Sequence, residues 1–318
     1  MWASRLGFAI ALLAAAGSAH AVIFKFTADP AYNTGPPTGA LTNAGWQLEG
    51  VWGAYLATPI APTYFLAAAH VGGSVGDTFE LNGFTYHTLS VTNIPGTDLN
   101  LWRVAETFPA YAALYTNATE TGKHCVLFGR GTERGTAVVV AGVTNGWQWG
   151  APTAIKRWGE NDIAGIAGDF LRATFDRGAS SNECHLSSGD SSGGLFIQES
   201  GEWKLAGINY GVDGPFSNAV DGTTFFAALV DRGGLCEADG SVCYTDTMTD
   251  NPSAFYSSRL STHAGEIYSL LDFSPGIDLR VVGLVRAGND VQIRFATSAG
   301  KTYRVDWRAD LQTGCGWH

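Results

Sequence analysis

Apolar and polar residues along most of this chain form short runs of the kind found in β-strands. Residues 84–91 alternate, and residues 136–143 are rich in β-branched side chains. Residues 205–210 and 223–230 are short apolar runs bounded by glycine or aspartate. Residues 264–272 differ, because their apolar positions recur at helical spacing. The pattern predicts an all-β chain with one helix late in the sequence.

Beyond that helix, alternating strands return in residues 274–318. Apolar side chains alternate at Val291, Ile293 and Phe295 and again at Tyr303, Val305 and Trp307. The pattern is typical of the start of a β-sandwich, which needs about 100 residues to enclose a core. The segment is shorter than that, so we predict an incomplete β module that either packs on the preceding domain or ends early.

The first residues have the pattern of a secretory signal peptide. Arg5 precedes the apolar stretch 6–16, and a small-x-small site ends at Ala21. A membrane anchor is the alternative, but a spanning helix needs about 20 apolar residues. We therefore expect residues 1–21 to be cleaved off, no membrane span, and a mature protein that is secreted, in an extracellular or periplasmic compartment.

Composition narrows the possible partners. The formal net charge is −10 and no Lys/Arg cluster is present, which argues against nucleic acid because phosphate binding needs a basic face. Charged residues make up only 15% of the chain and glycine is frequent, with 41 residues. Many tight turns between short strands explain both features.

The five cysteines are too few for a disulfide-built scaffold and too widely spaced for a zinc site. Cys236 and Cys243 bracket a short polar loop and would form a local disulfide in an oxidising compartment. Cys125 and Cys184 either pair or remain buried free thiols, and Cys315 is left over. No metal or organic cofactor is implied.

Three separated motifs carry candidate chemistry. An apolar run ends in Ala-Ala-Ala-His at His70, Asp98 precedes an alternating strand, and Gly189-Asp190-Ser191-Ser192-Gly193-Gly194 is rich in serine and glycine. A serine hydroxyl attacks an amide at neutral pH only when a base takes its proton and an acid orients that base. Unrelated folds carry such triads in other chain orders, so the order His, Asp, Ser is informative.

At these motifs the chain resembles the trypsin-like serine endopeptidases, secreted and of bacterial type, whose motifs read Thr-Ala-Ala-His, Asp-Ile-Ala-Leu-Leu and Gly-Asp-Ser-Gly-Gly. The resemblance covers roughly residues 22–273 and implies two antiparallel six-stranded β-barrels followed by a C-terminal helix. It implies His70, Asp98 and Ser191 as catalytic residues, with the amides of Gly189 and Ser191 as the oxyanion hole. We therefore predict a signal peptide at 1–21, a protease domain at 22–273 and a β-strand extension at 274–318.

The chain departs from the family pattern at two points. Two serines precede the glycine pair, so Ser192 is a rival to Ser191 as nucleophile. The family's Arg-Ile-Val-Gly-Gly cleavage site, whose new N-terminus pairs with the acid before the nucleophile, is missing. Asp190 must then find another partner, or pair with the amine of Val22 that signal peptidase would leave.

The resemblance also suggests substrate-binding residues. His185 occupies the position at which trypsin has an aspartate, so a preference for Lys or Arg is in doubt. Leu186 and Ile208 would line an apolar pocket, while His185 could bind an acidic or polar side chain or be a surface residue. The segment 209–211, formed by Asn209, Tyr210 and Gly211, resembles the strand that pairs with an extended substrate.

The sequence thus predicts a secreted serine endopeptidase acting on protein or peptide substrates through an acyl-enzyme intermediate. An alternative is a catalytically silent trypsin-like binding or cell-surface protein, and a third possibility is an esterase using the same site. The oligomeric state is not predicted.

Overall fold

The computed structural model describes residues 22–152, 154–178, 180–218, 222–245 and 248–271, and the backbone of 280–287 and 290–296. The chain divides into two compact units, Met1–Ile267 and Tyr268–His318. The predicted signal peptide and Cys315 lie outside the described residues. The predicted domain boundaries therefore stay predictions.

Almost all regular structure in the described residues is β-strand. In chain order the strands are β1 (Ile23–Phe24), β2 (Gly50–Trp52), β3 (Tyr55–Ala61), β4 (Tyr64–Ala68), β5 (Thr78–Leu81), β6 (Phe84–Ile94), β7 (Leu99–Val104), β8 (His124–Gly129), β9 (Thr132–Val140), β10 (Val143–Pro152), β11 (Arg157–Ala167), β12 (Phe170–Thr174), β13 (Cys184–His185), β14 (Gly194–Glu199), β15 (Glu202–Val212), β16 (Phe216–Asn218), β17 (Thr224–Phe225), β18 (Ala227–Leu229), β19 (Leu235–Glu237), β20 (Ala254–Arg259), β21 (Arg280–Ala287) and β22 (Asp290–Ala296). Helix α1 is Ala264–Leu270, and short 3-10 helices lie at Gly39–Leu41, Trp46–Leu48 and Ala69–Val71.

Two closed antiparallel barrels organise these strands. The first barrel has the order β2-β3-β4-β7-β6-β5, and the second has the order β11-β12-β20-β15-β14-β8. Buried aromatic side chains fill the first barrel, where Phe65 stacks on Phe79 with ring centroids 4.5 Å apart. Aliphatic side chains such as Leu127 and Leu195 fill the second. The predicted all-β fold with two six-stranded barrels and a C-terminal helix, a chymotrypsin-like arrangement, is confirmed.

The predicted strands agree with the structure where no turn interrupts them. Residues 84–91 lie in β6, residues 205–210 lie in β15, and the helical segment 264–272 begins with α1. Residues 136–143 are not one strand, because β9 ends and β10 begins inside the run. Ala141 and Gly142 make the turn between them, both with positive φ, at 49° and 80°. Residues 223–230 are likewise split into β17 and β18.

Several smaller features frame the barrels. Strand β1 pairs with β13, placing Ile23 opposite His185. The predicted Cys236–Cys243 disulfide is formed, whereas Cys125 and Cys184 are buried free thiols. Strands β21 and β22 form an antiparallel pair, and the predicted strand at Tyr303 lies outside the described residues. No helix among the described residues is long and apolar enough to cross a membrane.

Candidate active site

The strand before His70 holds the imidazole at the rim of the first barrel. Every residue of β4 is buried, and the chain then turns through the 3-10 helix Ala69–Val71. Small side chains at Ala67 and Ala68, both with no exposed surface, let this segment pack tightly against its neighbours. The His70 side chain beyond them remains 38% exposed. It is therefore accessible to a substrate.

Pairing between β4 and β7 brings Asp98 to His70. Ala68 lies opposite Leu99 in this pair, so the residues just beyond each strand meet. Asp98 Oδ2 lies 2.6 Å from His70 Nδ1, and Oδ1 accepts a hydrogen bond from the His70 amide at 2.9 Å. Because a carboxylate accepts hydrogen bonds, Nδ1 carries the proton. The lone pair of Nε2 then faces away from Asp98.

Ser191 stands at that face of the imidazole. Its Oγ is 2.9 Å from His70 Nε2, within hydrogen-bond distance. The serine projects from the tight loop between β13 and β14, in which Gly189 has a φ of 93°. A side chain at Gly189 would also bring its Cβ within 2.9 Å of Gly131 Cα. Glycine at position 189 therefore allows the loop its sharp bend.

The second serine points elsewhere. Ser192 has no exposed surface, and its Oγ accepts a hydrogen bond from the Ala68 amide at 2.9 Å. Its φ is 69°, a left-handed conformation that glycine adopts at little cost. The geometry thus favours Ser191 over Ser192 as the nucleophile.

The predicted oxyanion-hole amides belong to this loop. Within residues 180–218, which the structure describes continuously, neither the Gly189 nor the Ser191 amide donates to a protein acceptor. The Asp190 amide, between them, donates to Ser187 O at 3.1 Å. Asp190 Oδ2 accepts from the Ser187 amide and hydroxyl at 2.7 and 2.8 Å. These bonds fix the backbone that carries the amides of Gly189 and Ser191. The role of the two amides in oxyanion binding stays a prediction.

Asp190 itself is completely buried below the loop. While Oδ2 accepts from Ser187, Oδ1 accepts hydrogen bonds from the Gly131 amide at 2.7 Å and from the Val22 backbone N–H at 3.3 Å. Burial raises the pKa of this carboxyl to about 6, against the effect of the hydrogen bonds, which lower it. Val22 is only 1% exposed. Gly131 and Ser187 are thus the other partners foreseen for Asp190, and pairing with a free amine at Val22 stays a prediction.

The six predicted substrate-binding residues divide into buried and accessible groups. Leu186, Ile208 and Asn209 are at most 2% exposed. Tyr210 is 41% exposed, and its ring lies edge-on to His70 with centroids 5.7 Å apart. Gly211, the next residue, is partly exposed. Tyr210 and Gly211 are thus the members of the set best placed to meet a substrate.

His185 is neither a surface residue nor open to a ligand. It has no exposed surface, because β1 covers β13 and the rings of Phe175 and Phe255 pack edge-on against the imidazole. Nδ1 donates to Leu186 O at 2.7 Å, and Nε2 lies 3.3 Å from Ser253 Oγ. Since both nitrogens have protein partners, the geometry does not support a hydrogen bond from His185 to a substrate side chain.

Because His185 is buried, we expect it to make the folded protein less stable at acid pH. Burial lowers the pKa of the imidazole to about 4 from a usual 6.5. The unfolded chain therefore binds a proton that the folded chain excludes as pH falls from 6.5 to 4. We expect this group to remove on the order of 3 kcal/mol from the free energy of unfolding across that range. His185→Gln should remove this part of the pH dependence in urea unfolding.

Two measurements check the expectation. The difference in unfolding free energy between wild type and His185→Gln should shrink as pH falls from 7 to 4.5, and parallel curves would contradict it. If the variant does not fold, an NMR titration of the wild-type imidazole gives the answer directly. A His185 ring that titrates near pH 6.5 in the folded protein would also contradict the expectation.

Asn209 was predicted only to bind substrate but instead supports the site from inside the protein, and Phe170 belongs to the site although no role was predicted for it. Asn209 Nδ2 donates to Phe128 O at 2.8 Å and to Asp190 O at 3.2 Å, which ties the loop that carries Ser191 to β8. Phe170 stacks on Tyr210 with centroids 4.5 Å apart. A polar asparagine inside an apolar strand was the one sequence signal for the first of these. Phe170 had none, because its partner is distant in the chain.

Comparisons with known proteins show little sequence similarity. No family model matches the chain, and no curated protein matches it. Among solved structures, the chain is similar to neuropsin, a serine protease expressed in the limbic system of mouse brain. The identity is 14% over 72% of this chain and 96% of that chain, with a TM-score of 0.47.

Proposed function

We propose that this chain is a secreted serine endopeptidase whose nucleophile is Ser191. The observation that carries the proposal is the imidazole of His70, which lies 2.6 Å from an Asp98 oxygen and 2.9 Å from the Ser191 hydroxyl. A carboxylate, an imidazole and a hydroxyl hydrogen-bonded in that order form a relay that can activate a serine. Substrates are proteins or peptides.

The chemistry follows from these contacts. His70 Nε2 takes the proton of Ser191 as Oγ attacks the scissile carbonyl, and Asp98 stabilises the imidazolium that results. The amides of Gly189 and Ser191 donate to the oxyanion. His70 then gives its proton to the leaving amine, which breaks the C–N bond and leaves an acyl-enzyme. Water, deprotonated by the same nitrogen, hydrolyses the ester and restores the Ser191 hydroxyl.

Maturation is part of the proposal. Removal of residues 1–21 on export would convert the Val22 nitrogen, 3.3 Å from Asp190 Oδ1, from an amide into an ammonium group. A buried carboxylate is stabilised by such a cation. The Cys236–Cys243 disulfide supports an oxidising compartment outside the cytoplasm. Export is therefore proposed to complete the site.

A fluorophosphonate probe tests the proposal, because it reacts covalently with an activated serine. We expect the mature protein to be labelled and the labelled peptide, identified by mass spectrometry, to carry the probe on Ser191. His70→Ala should abolish labelling without changing the circular dichroism spectrum. Label on Ser192 would show that Ser192, and not Ser191, is the nucleophile.

Failure to label correctly folded, mature protein would favour the alternative, a catalytically silent binding protein. Labelled protein that hydrolyses small acyl esters but digests no member of a peptide library would instead favour the esterase. Cleavage of the library would support the endopeptidase and report its side-chain preference.

A further inference from the structure

The nucleophile and its base belong to different barrels. His70 follows β4 of the first barrel, whereas Ser191 precedes β14 of the second. Proton transfer between them needs a hydrogen-bond distance, and a misplacement of about 1 Å can lower a rate by 10²-fold. Whatever holds the Ser191 segment against the first barrel therefore bears directly on catalysis.

Ser192 makes one such link. Its hydroxyl accepts a hydrogen bond from the amide of Ala68, which lies two residues before His70. The contact is fully buried and joins the loop of one barrel to β4 of the other. A non-glycine residue with a φ of 69° is strained, and such strain persists where other interactions compensate for it. The hydrogen bond to Ala68 is one such interaction, beside the bond from the Ser192 amide to Asn209 O at 2.8 Å.

Glu49 makes the second link. Its side chain is 2% exposed and lies just before β2 of the first barrel. Oε2 accepts a hydrogen bond from the Gly194 amide at 3.1 Å, and Oε1 accepts one from the Thr58 hydroxyl at 2.7 Å. A Cβ at Gly194 would stand 2.4 Å from Oε1, so only glycine permits this approach. The carboxyl group therefore docks on the backbone three residues after Ser191.

A lysine stabilises this end of the barrel. Lys156 Nζ donates to Glu49 O at 2.8 Å and to Trp46 O at 2.9 Å, and lies 4.3 Å from the centroid of the Trp46 ring. Burial raises the pKa of Glu49, and the charge of Lys156 acts in the opposite direction. Among the described residues, Lys156 is the charged group that acts electrostatically on the Glu49 carboxyl.

We propose that Ser192 and Glu49 are positioning residues that together clamp the Ser191 segment of the second barrel onto the first barrel. The inference rests on the proposed function. Neither side chain touches the reacting atoms, so both act through the separation of Ser191 Oγ and His70 Nε2. Loss of either link should lower kcat and leave KM nearly unchanged.

Ser192→Gly is the sharpest test, because it removes the hydroxyl and relieves the strained φ together. We expect kcat and the fluorophosphonate labelling rate to fall about fivefold to tenfold, the effect of one buried hydrogen bond. The Tm should stay the same or rise. Ser200→Gly is the matched control, since Ser200 is exposed and also has a positive φ, of 53°. That variant should keep full activity.

Glu49 is tested by comparing two substitutions. Glu49→Gln keeps an oxygen for the Gly194 amide and should retain most of the labelling rate, whereas Glu49→Ala should lose about tenfold or more. If Glu49→Ala does not fold, Thr58→Val weakens the same carboxyl contact and should lower kcat in the same direction. Equal rates for Glu49→Gln and Glu49→Ala would refute the role of Glu49.

A distance measurement separates this inference from the proposed function. Crystal structures of wild type and Ser192→Gly should show a longer separation of Ser191 Oγ and His70 Nε2 in the variant. If wild type is not labelled, the proposed function fails, but the distance still decides whether the clamp exists. An unchanged distance, or a Ser192→Gly variant as fast as wild type, would overturn the clamp.

Discussion

Replacing Ser191 with alanine is expected to lower kcat for peptide hydrolysis by about 10⁶-fold. The hydroxyl that lies 2.9 Å from His70 Nε2 would be gone, and no other hydroxyl in the described residues hydrogen-bonds to that nitrogen. His70→Ala should cost about as much, because an unassisted serine is a weak nucleophile. Steady-state hydrolysis of a peptide found in the library digest measures both losses.

The double variant makes this prediction specific to a relay. Groups that act as one unit are not additive, so Ser191→Ala combined with His70→Ala should be no slower than either change by itself. Ser192→Ala serves as the neighbouring control and should lose about tenfold or less. A Ser191→Ala enzyme that keeps more than a hundredth of wild-type kcat would rule out Ser191 as the nucleophile.

One additional residue at the mature N-terminus is expected to lower kcat/KM by about 10²-fold to several thousandfold. An Ala placed before Val22 leaves an amide at the position 3.3 Å from Asp190 Oδ1 and moves the ammonium group about 3.8 Å along the chain. Removing one partner of a buried ion pair costs about 3–5 kcal/mol, which gives the expected factor. Fusion proteins cut to begin at Val22 or at Ala-Val22 allow the comparison.

The pH profile distinguishes an ion pair from a steric effect. An α-amino group has an ordinary pKa of about 7.7–8.0, and pairing with Asp190 raises it. The ion pair is therefore fully present at lower pH and lost as pH rises through the raised pKa. The chain that begins at Val22 should lose activity above about pH 8 by this route, and the extended chain should lack that decline. Equal activity of both forms would show that Gly131 and Ser187 satisfy Asp190 without an amine.

Burial of Asp190 is the reason that we expect a free amine at Val22 to affect stability. Its pKa of about 6 lies above the ordinary 3.8, so the charged carboxylate costs stability above pH 6, and this cost is absent below pH 3.8. A nearby ammonium group offsets the cost at neutral pH. Tm measured against pH for the two N-terminal forms should therefore diverge above pH 6, with the Val22 form more stable, and converge again as the amine loses its proton above about pH 8.

The sequence predicted the site most accurately where local pattern and chemistry coincide. The apolar run before His70 indicated a buried strand that ends in an imidazole, and β4 has that form. The glycines of the 189–194 motif indicated a sharp loop, as found at Gly189. Strand ends were less predictable, because the β-branched run 136–143 gave no sign that Ala141 would adopt a positive φ.

Residues that depend on distant partners were not predictable in this way. His185 is buried because Ile23, far away in the sequence, pairs with it across β1 and β13. Glutamate usually lies at the protein surface, yet Glu49 is buried because Gly194 of the other barrel covers its carboxyl group. Ser191 rather than Ser192 faces His70, because the Ser192 hydroxyl accepts a hydrogen bond from the Ala68 amide of the other barrel.

The two barrels were expected only because the motifs resemble those of a known family. By itself, the sequence determined the all-β class, the short disulfide loop and the types and chain order of the candidate catalytic residues. These follow from periodicity, glycine placement and side-chain chemistry, all of which act over a few residues. The tertiary structure decided that Ser191 faces His70, that Glu49 is buried against the loop that carries Ser191 and that His185 is closed to solvent. Those outcomes depend on contacts between segments separated by more than a hundred residues, and local pattern carries no information about such pairings.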